Sequence, residues 1–245
     1  MKRLALTIAG SDPSGGAGLQ RDLAVFRSLG VPAVSVITAI TAQNEKKFWG
    51  LHPVPSEILR AQLESVASSF HVIKIGMLAT AENVRVVTRF LKKHRDVPVV
   101  LDPILKSSTG AVLLERSGIL PLCDELAPLV TLVTPNLDEA AVLCRTPIKN
   151  IDDMKKAVRV LCKRLQTTVL LKGGHLTGSV VVDLLWDGKR EKVFTSRRIH
   201  VRDLRGTGCR LSSAIAAYLC QGVSLEKSVS LAKSWLRTSF DKPPG

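Results

Sequence analysis

The chain has 245 residues, of which 45% are hydrophobic and 23% charged, with a formal net charge of +14. That length suits one large α/β domain or two small ones, and the apolar share excludes a disordered chain, apart from the terminal DKPPG. No stretch approaches the ~20 apolar residues of a membrane span, so a soluble, cytoplasmic protein with no membrane contact is expected. The excess of Lys and Arg, eight against Glu191 and Asp203 within 189–210, suits phosphates, nucleic acid or a membrane surface. With 4% aromatic residues and no DNA-binding signature, no nucleic-acid partner is expected, and a basic solvated surface is the plain reading. Five cysteines (Cys123, Cys144, Cys162, Cys209 and Cys220) form no C-x-x-C pair or Cys/His cluster, which fits reduced thiols rather than disulfides or zinc.

The opening MKRLALTIAGS has the basic-then-apolar look of a signal peptide, but its run at 4–9 is short and broken by Thr7, so it reads as a buried strand. Further short apolar runs follow at 33–39, 72–76, 97–102, 129–134 and 168–173, as expected of strands covered on both faces. Between them, Leu59, Leu63, Val66 and Phe70 keep helical spacing, as do Met154, Val158, Leu161 and Leu165, with Asp152 or Asp153 as the cap. Two strand-like runs around Asp187-Gly188 within 179–196 predict a hairpin. Helices over 209–221 and about 225–239 close the chain. Strand–helix alternation without a linker predicts one three-layer α/β/α domain over 1–245 around a mostly parallel sheet.

In such sheets ligands gather at the carboxyl ends of the strands, and the polar signals of this chain fall there. AGSDPSGGAG (9–18) carries four glycines, is neither a Walker-type loop nor G-x-G-x-x-G, and precedes Asp22 on the next helix. TAQN (41–44) offers Gln43, whose amide suits a heterocycle edge. LDPI (101–104) places Asp102 at a strand end, TPNLDEA opens a helix with Glu139, and LKGGH sets Lys172 before flexible backbone. Each alone reads equally as an ordinary helix-start acid, loop residue or solvated lysine. In RGTGC, Gly206, Thr207 and Gly208 bend the chain, and Cys209 falls at a helix N-terminus. Free N–H groups there favour an anion and a lowered thiol pKa; the plain alternative is a small apolar residue at a helix start.

TIAGSDPSGGAGLQRDL, SVITAITAQN, KIGML, VTPNLDEA, LLKGGH and GTGCRLSSAIAA, in this order, resemble the hydroxymethylpyrimidine/phosphomethylpyrimidine kinases of thiamine biosynthesis, in the ribokinase-like superfamily. The resemblance implies that fold. It implies phosphorylation of 4-amino-5-hydroxymethyl-2-methylpyrimidine and then of its monophosphate, with ATP and Mg²⁺ as cofactors and a homodimer as the assembly. By the same resemblance the backbone of 206–209 forms the anion hole and Cys209 takes the proton of the attacking hydroxyl. Asp22 and Gln43 read the pyrimidine, with Met77 and Ile104 near its ring. Asp102, Lys172 and Thr207 face the phosphates, and Glu139 acts on Mg²⁺ through water.

The chain departs from the family pattern at Asp203, Leu204, Arg205 and Arg210 around the GTGC turn. It also has Ser108 in place of a lysine, with Lys106 two positions earlier. Arg210, with Arg205 beside it, is expected to restore the missing positive charge toward the phosphates. Three alternatives remain. One is a pyridoxal kinase of the same fold, against which TAQN speaks. The others are a cysteine hydrolase pairing Cys209 with His175 or His200, and a catalytically weakened binder of pyrimidine or nucleic acid.

Overall fold

The computed structural model describes residues 3–66, 69–107, 109–174, 176, 178–198 and 206–240. The first half alternates β1 (Ala5–Ser11), α1 (Gly18–Ser28), β2 (Ala33–Gln43), β3 (Phe48–Pro53), α2 (Ser56–Ser65), β4 (Val72–Ile75), α3 (Ala81–Leu91) and β5 (Val99–Leu101). An irregular helical run over 116–129 follows, containing the single turn α4 (Ile119–Pro121). The second half comprises β6 (Leu132–Val133), α5 (Leu137–Cys144), α6 (Ile151–Leu165), β7 (Thr168–Lys172), β8 (Val180–Trp186), β9 (Glu191–Arg197), α7 (Thr207–Cys220) and α8 (Leu225–Phe240).

The nine strands form one sheet in the order β3-β2-β1-β4-β5-β6-β7-β8-β9. The six from β2 to β7 run parallel, while β3, β8 and β9 are antiparallel additions at the two edges. Strand order reverses between β1 and β4, which opens a crevice at their carboxyl ends. Alternate strand residues feed two cores. Leu6, Ile73, Val99, Val133 and Val169 pack against α2, α3, α5 and α6. Ala5, Val72, Val100, Leu132 and Leu170 pack against α1, α7 and α8. This is the expected three-layer architecture, and no helix among the described residues is long and apolar enough to cross a membrane.

Several local expectations are corrected. α2 ends at Ser65, and Phe70 is buried outside it, beside Phe90 and His94. The α6 cap is Asn150, whose side chain accepts from Asp153 N–H; Asp152 and Asp153 occupy the first turn, where they suit the helix dipole. The edge strand β3, the helix α3 and the run over 116–129 were not anticipated. The 179–196 hairpin is present, its turn closed by Asp187 Oδ1 accepting from Lys189 N–H (2.8 Å) and Arg190 N–H (2.6 Å). The DKPPG tail lies outside the described residues, as do Ser108, His175, His200 and the 203–205 segment.

Candidate active site

On the sheet face under α7, each apolar residue of that core is followed two positions later by a polar one. Ala5 leads to Thr7, Val72 to Lys74, Val100 to Asp102, Leu132 to Thr134 and Leu170 to Lys172. Strand side chains alternate with period two, so these five polar groups form a band across the carboxyl end of that face. Buried charges must be paired, and here two ion pairs meet that need. Lys74 Nζ binds both oxygens of Asp22 on α1, at 2.9 and 2.8 Å. Lys172 Nζ lies 2.9 Å from Asp102 Oδ1, which also accepts from Thr134 Oγ1 at 3.1 Å.

Helix α7 ties the pairs together through adjacent serines. Ser213 Oγ donates to Asp22 Oδ1 at 2.8 Å, and Ser212 Oγ reaches Asp102 Oδ2 at 3.4 Å. Thr7 Oγ1 adds a donor to Asp22 Oδ2 at 2.7 Å. Asp22 is thus surrounded by four internal hydrogen bonds and has no exposed surface. That differs from the expectation that it would face the pyrimidine: its acceptor capacity is already filled.

The α7 N-terminus opens onto the second pair. Gly206 is the N-cap at φ +67°, a left-handed conformation that favours glycine. A Cβ there would stand 2.2 Å from Gly16 O, so the GTGC turn touches the glycine loop after β1. At Gly208 a Cβ would lie 3.0 Å from Lys172 Nζ and 3.6 Å from Asp102 Oδ2. The ammonium therefore sits against the first turn of α7, where backbone N–H groups await an anion. The glycine loop is held by Asp12, which accepts from Ser14 N–H at 2.9 Å, Ser14 Oγ at 2.8 Å and Ala17 N–H at 2.9 Å.

Beside this cradle, Met77 and Ala39 form an apolar patch with Ala79 and Leu113, against which Phe48, Leu51 and Ile104 pack. Met77 and Ile104 are thereby brought together, as expected. Gln43 ends β2 opposite Phe48 in the register, half-buried, and its amide makes no hydrogen bond among the described residues. Arg210 is half-buried in the α7 first turn, its N–H bonded to Gly206 O at 2.8 Å.

Three acidic groups of the site titrate away from their ordinary values, and one of them against expectation. Burial pushes the Cys209 thiol up to about 12; Lys74 pulls against this, while Asp102 and Asp22 push further up. The expected lowering at a helix N-terminus is overturned, because Cys209 is only 6% exposed and two carboxylates face it. Burial likewise raises Glu139 to about 7 against the pull of Lys172, with Asp102 adding to the rise. Its Oε2 accepts from Asn136 N–H while Asn136 Oδ1 accepts from Glu139 N–H, both at 2.8 Å. N-x-x-E is thus a capping box. Asp102 is held below the usual carboxylate range: burial opposes this, but Lys172 and Lys74 outweigh it.

No cluster of three metal-ligating side chains exists among the described residues. Asp102 and Glu139 instead offer two carboxylates beside Lys172. Such a set fits Mg²⁺ held largely by waters and nucleotide phosphates.

Lys74, Thr7, Asp12, Ser212 and Ser213 escaped the sequence reading. A lysine at the centre of VIKIG, on a strand otherwise buried on both faces, was the available signal. Ser108, Arg205, His175 and His200 lie outside the described residues.

Fold and site together define a ribokinase-like small-molecule kinase. The family model for phosphomethylpyrimidine kinase matches residues 12–244, and the chain belongs to that family. It is 38% identical over 235 residues to the hydroxymethylpyrimidine/phosphomethylpyrimidine kinase of Aquifex aeolicus, covering 95% of this chain and 92% of that one. The crystal structure of phosphomethylpyrimidine kinase from Clostridium difficile superposes with a TM-score of 0.85 at 37% identity, over 97% of this chain and 99% of that one. Pyridoxal kinase from Staphylococcus aureus, in complex with AMP-PCP and pyridoxal, gives 0.88 at 30% identity over 98% and 88%.

Proposed function

We propose that this chain, acting as one domain, transfers the γ-phosphoryl group of ATP to the hydroxymethyl oxygen of 4-amino-5-hydroxymethyl-2-methylpyrimidine, and then phosphorylates the monophosphate. The observation that carries this reading is the Lys172 ammonium lodged against Gly208 at the α7 N-terminus, a preformed cradle for a moving phosphoryl group. The N–H groups of the GTGC turn and Lys172 hold the equatorial oxygens. Arg210 contributes from the same turn. Gln43 reads the heterocycle edge over Met77 and Ile104. Asp102 and Glu139 would hold Mg²⁺ through its waters, and the ion would supply charge neutralisation for the phosphates.

The hydroxyl oxygen bonds to the γ-phosphorus as the bond from that phosphorus to the bridging oxygen breaks, and ADP leaves. The hydroxyl proton passes to Cys209 Sγ, for which the thiolate form is needed. With the thiol near 12, the rate should climb with pH across 7 to 10 rather than level off near 7.

The same family likeness supports a cytoplasmic homodimer. Exposed Ile40 and Trp49, on β2 and the edge strand β3, are apolar surface that such an assembly would cover. The test is ADP release from MgATP with hydroxymethylpyrimidine, pyridoxal or no acceptor. Release that requires the pyrimidine is expected, release faster with pyridoxal would move the chain to that kinase class, and release indifferent to acceptor would defeat both.

A further inference from the structure

We propose that Arg198 is a positioning residue for the nucleotide: its guanidinium gathers backbone carbonyls of the β7–β8 connection and so shapes the rim over which the leaving ADP lies. The proposal rests on the phosphoryl-transfer reading above. In-line transfer puts the acceptor and the leaving group on opposite sides of the moving phosphoryl group. The apolar patch of Ala39, Phe48 and Met77 comes from β2, β3 and the turn after β4, toward one edge of the sheet. The cradle at Lys172 lies toward the other edge, on β7. The bulk of the nucleotide therefore extends past β7, over the connection that leaves Lys172.

Side chains from other elements hold that connection. Gly173 N–H donates to Asp183 Oδ1 at 2.9 Å, and Lys233 on α8 pairs with Asp183 Oδ2. A Cβ on Gly173 would stand 2.0 Å from Val182 O, so the chain leaves Lys172 pressed against β8. Farther along, Arg198 Nη1 donates to Gly174 O at 2.7 Å and Nε to Gly178 O at 2.8 Å, while Nη2 donates to Leu176 O. The backbone N–H of Arg198 donates to Ser179 O at 2.8 Å, which fixes where that side chain starts. Carbonyl oxygens carry partial negative charge, and beside a phosphate site they would oppose the anion. One guanidinium offsets all three, and its rigid fork spreads donors over separate carbonyls in a way a single ammonium does not match.

Calorimetric titration of the free protein with MgADP tests this without any acceptor. Arg198→Met should weaken ADP binding about tenfold, with pyrimidine affinity kept. Arg198→Lys keeps the charge and loses the fork, so it should still bind ADP about fivefold more weakly than the parent. Arg197→Met removes the neighbouring exposed charge and should bind ADP as the parent does. In turnover, Arg198→Met should raise KM for ATP by the same factor as the ADP affinity falls and leave kcat within about twofold. Should Arg198→Met fail to fold, Arg198→Lys carries the test. A folded Arg198→Met or Arg198→Lys protein that binds ADP as tightly as the parent overturns the proposal, and so does an equal loss in Arg197→Met. A parent that binds ADP but splits ATP without regard to acceptor overturns only the functional reading, and a parent that binds no ADP overturns both.

Discussion

The two lysine–aspartate pairs under α7 look alike in sequence and differ in access. In Asp22–Lys74 both side chains are 0% exposed. In Asp102–Lys172 the lysine is 13% exposed and stands at the open end of the α7 dipole. A sealed pair can only impose its charge on neighbours. An open pair can exchange one partner for an incoming phosphate. The same chemistry, on β4 and on β7 three strands along the sheet, thus gives a fixed electrostatic support on one side and, on the proposed reading, a ligand-binding group on the other.

The largest effects should come from breaking one pair at a time. Lys172→Met should cut turnover about 10²–10³-fold; it too leaves a buried carboxylate, Asp102, but beside a lysine that is 13% exposed, so its stability loss in denaturant unfolding should be smaller than at the sealed pair. Lys74→Met strands a buried carboxylate and should cost about 3–5 kcal/mol of stability. Equal stability losses in the two variants would erase the distinction.

Next in size, Gly208→Ala would crowd the flexible end of Lys172 rather than backbone. Displacing the ammonium should lower turnover about 10–100-fold with the melting temperature nearly kept. A variant as active as the parent would show that the exact seat of Lys172 is unimportant.

Glu139 sharpens the open side through pH. Its carboxyl is raised by burial to about 7, so the fold favours the protonated form. That stabilisation is complete below the ordinary carboxylate range and is lost as pH rises through 7. Glu139→Gln keeps a capping side chain and mimics the neutral form, so it should melt higher than the parent at pH 8 and level with it at pH 4. Identical melting at both would remove the buried-charge account.

Arg210→Thr should have the smallest effect, a severalfold rise in KM for ATP with kcat nearly unchanged. No change in KM, or a fall, would place the guanidinium outside the phosphate cradle.

Much of this architecture was legible because strands buried on both faces spell short apolar runs, and turns at their ends spell glycine. Strand positions and the GTGC helix start followed from those signals. The edge strand β3 was not legible: Phe48–Pro53 carries polar and glycine residues and gains its partner only from β2. The titration state of Cys209 was read with the wrong sign. Local sequence announces a helix N-terminus, but burial and the opposing carboxylates of Asp102 and Asp22 come from the fold, the carboxylates from positions 107 and 187 residues away. Asp22 was read as a ligand group for a similar reason, since Lys74 and Ser213, which fill it, are distant in sequence.

On the proposed reading, phosphoryl transfer to the pyrimidine takes place at the α7 N-terminus beside Cys209. Transfer of label from γ-labelled ATP to hydroxymethylpyrimidine, measured for the parent and for Cys209→Ala from pH 7 to 10, tests it most directly. The parent rate should rise with pH, and the Cys209→Ala rate should be lower by about 10²–10⁴-fold and no longer rise, with pyrimidine affinity kept. Labelled product formed at near-parental rate by Cys209→Ala, or no labelled pyrimidine from the parent at any pH, would contradict it.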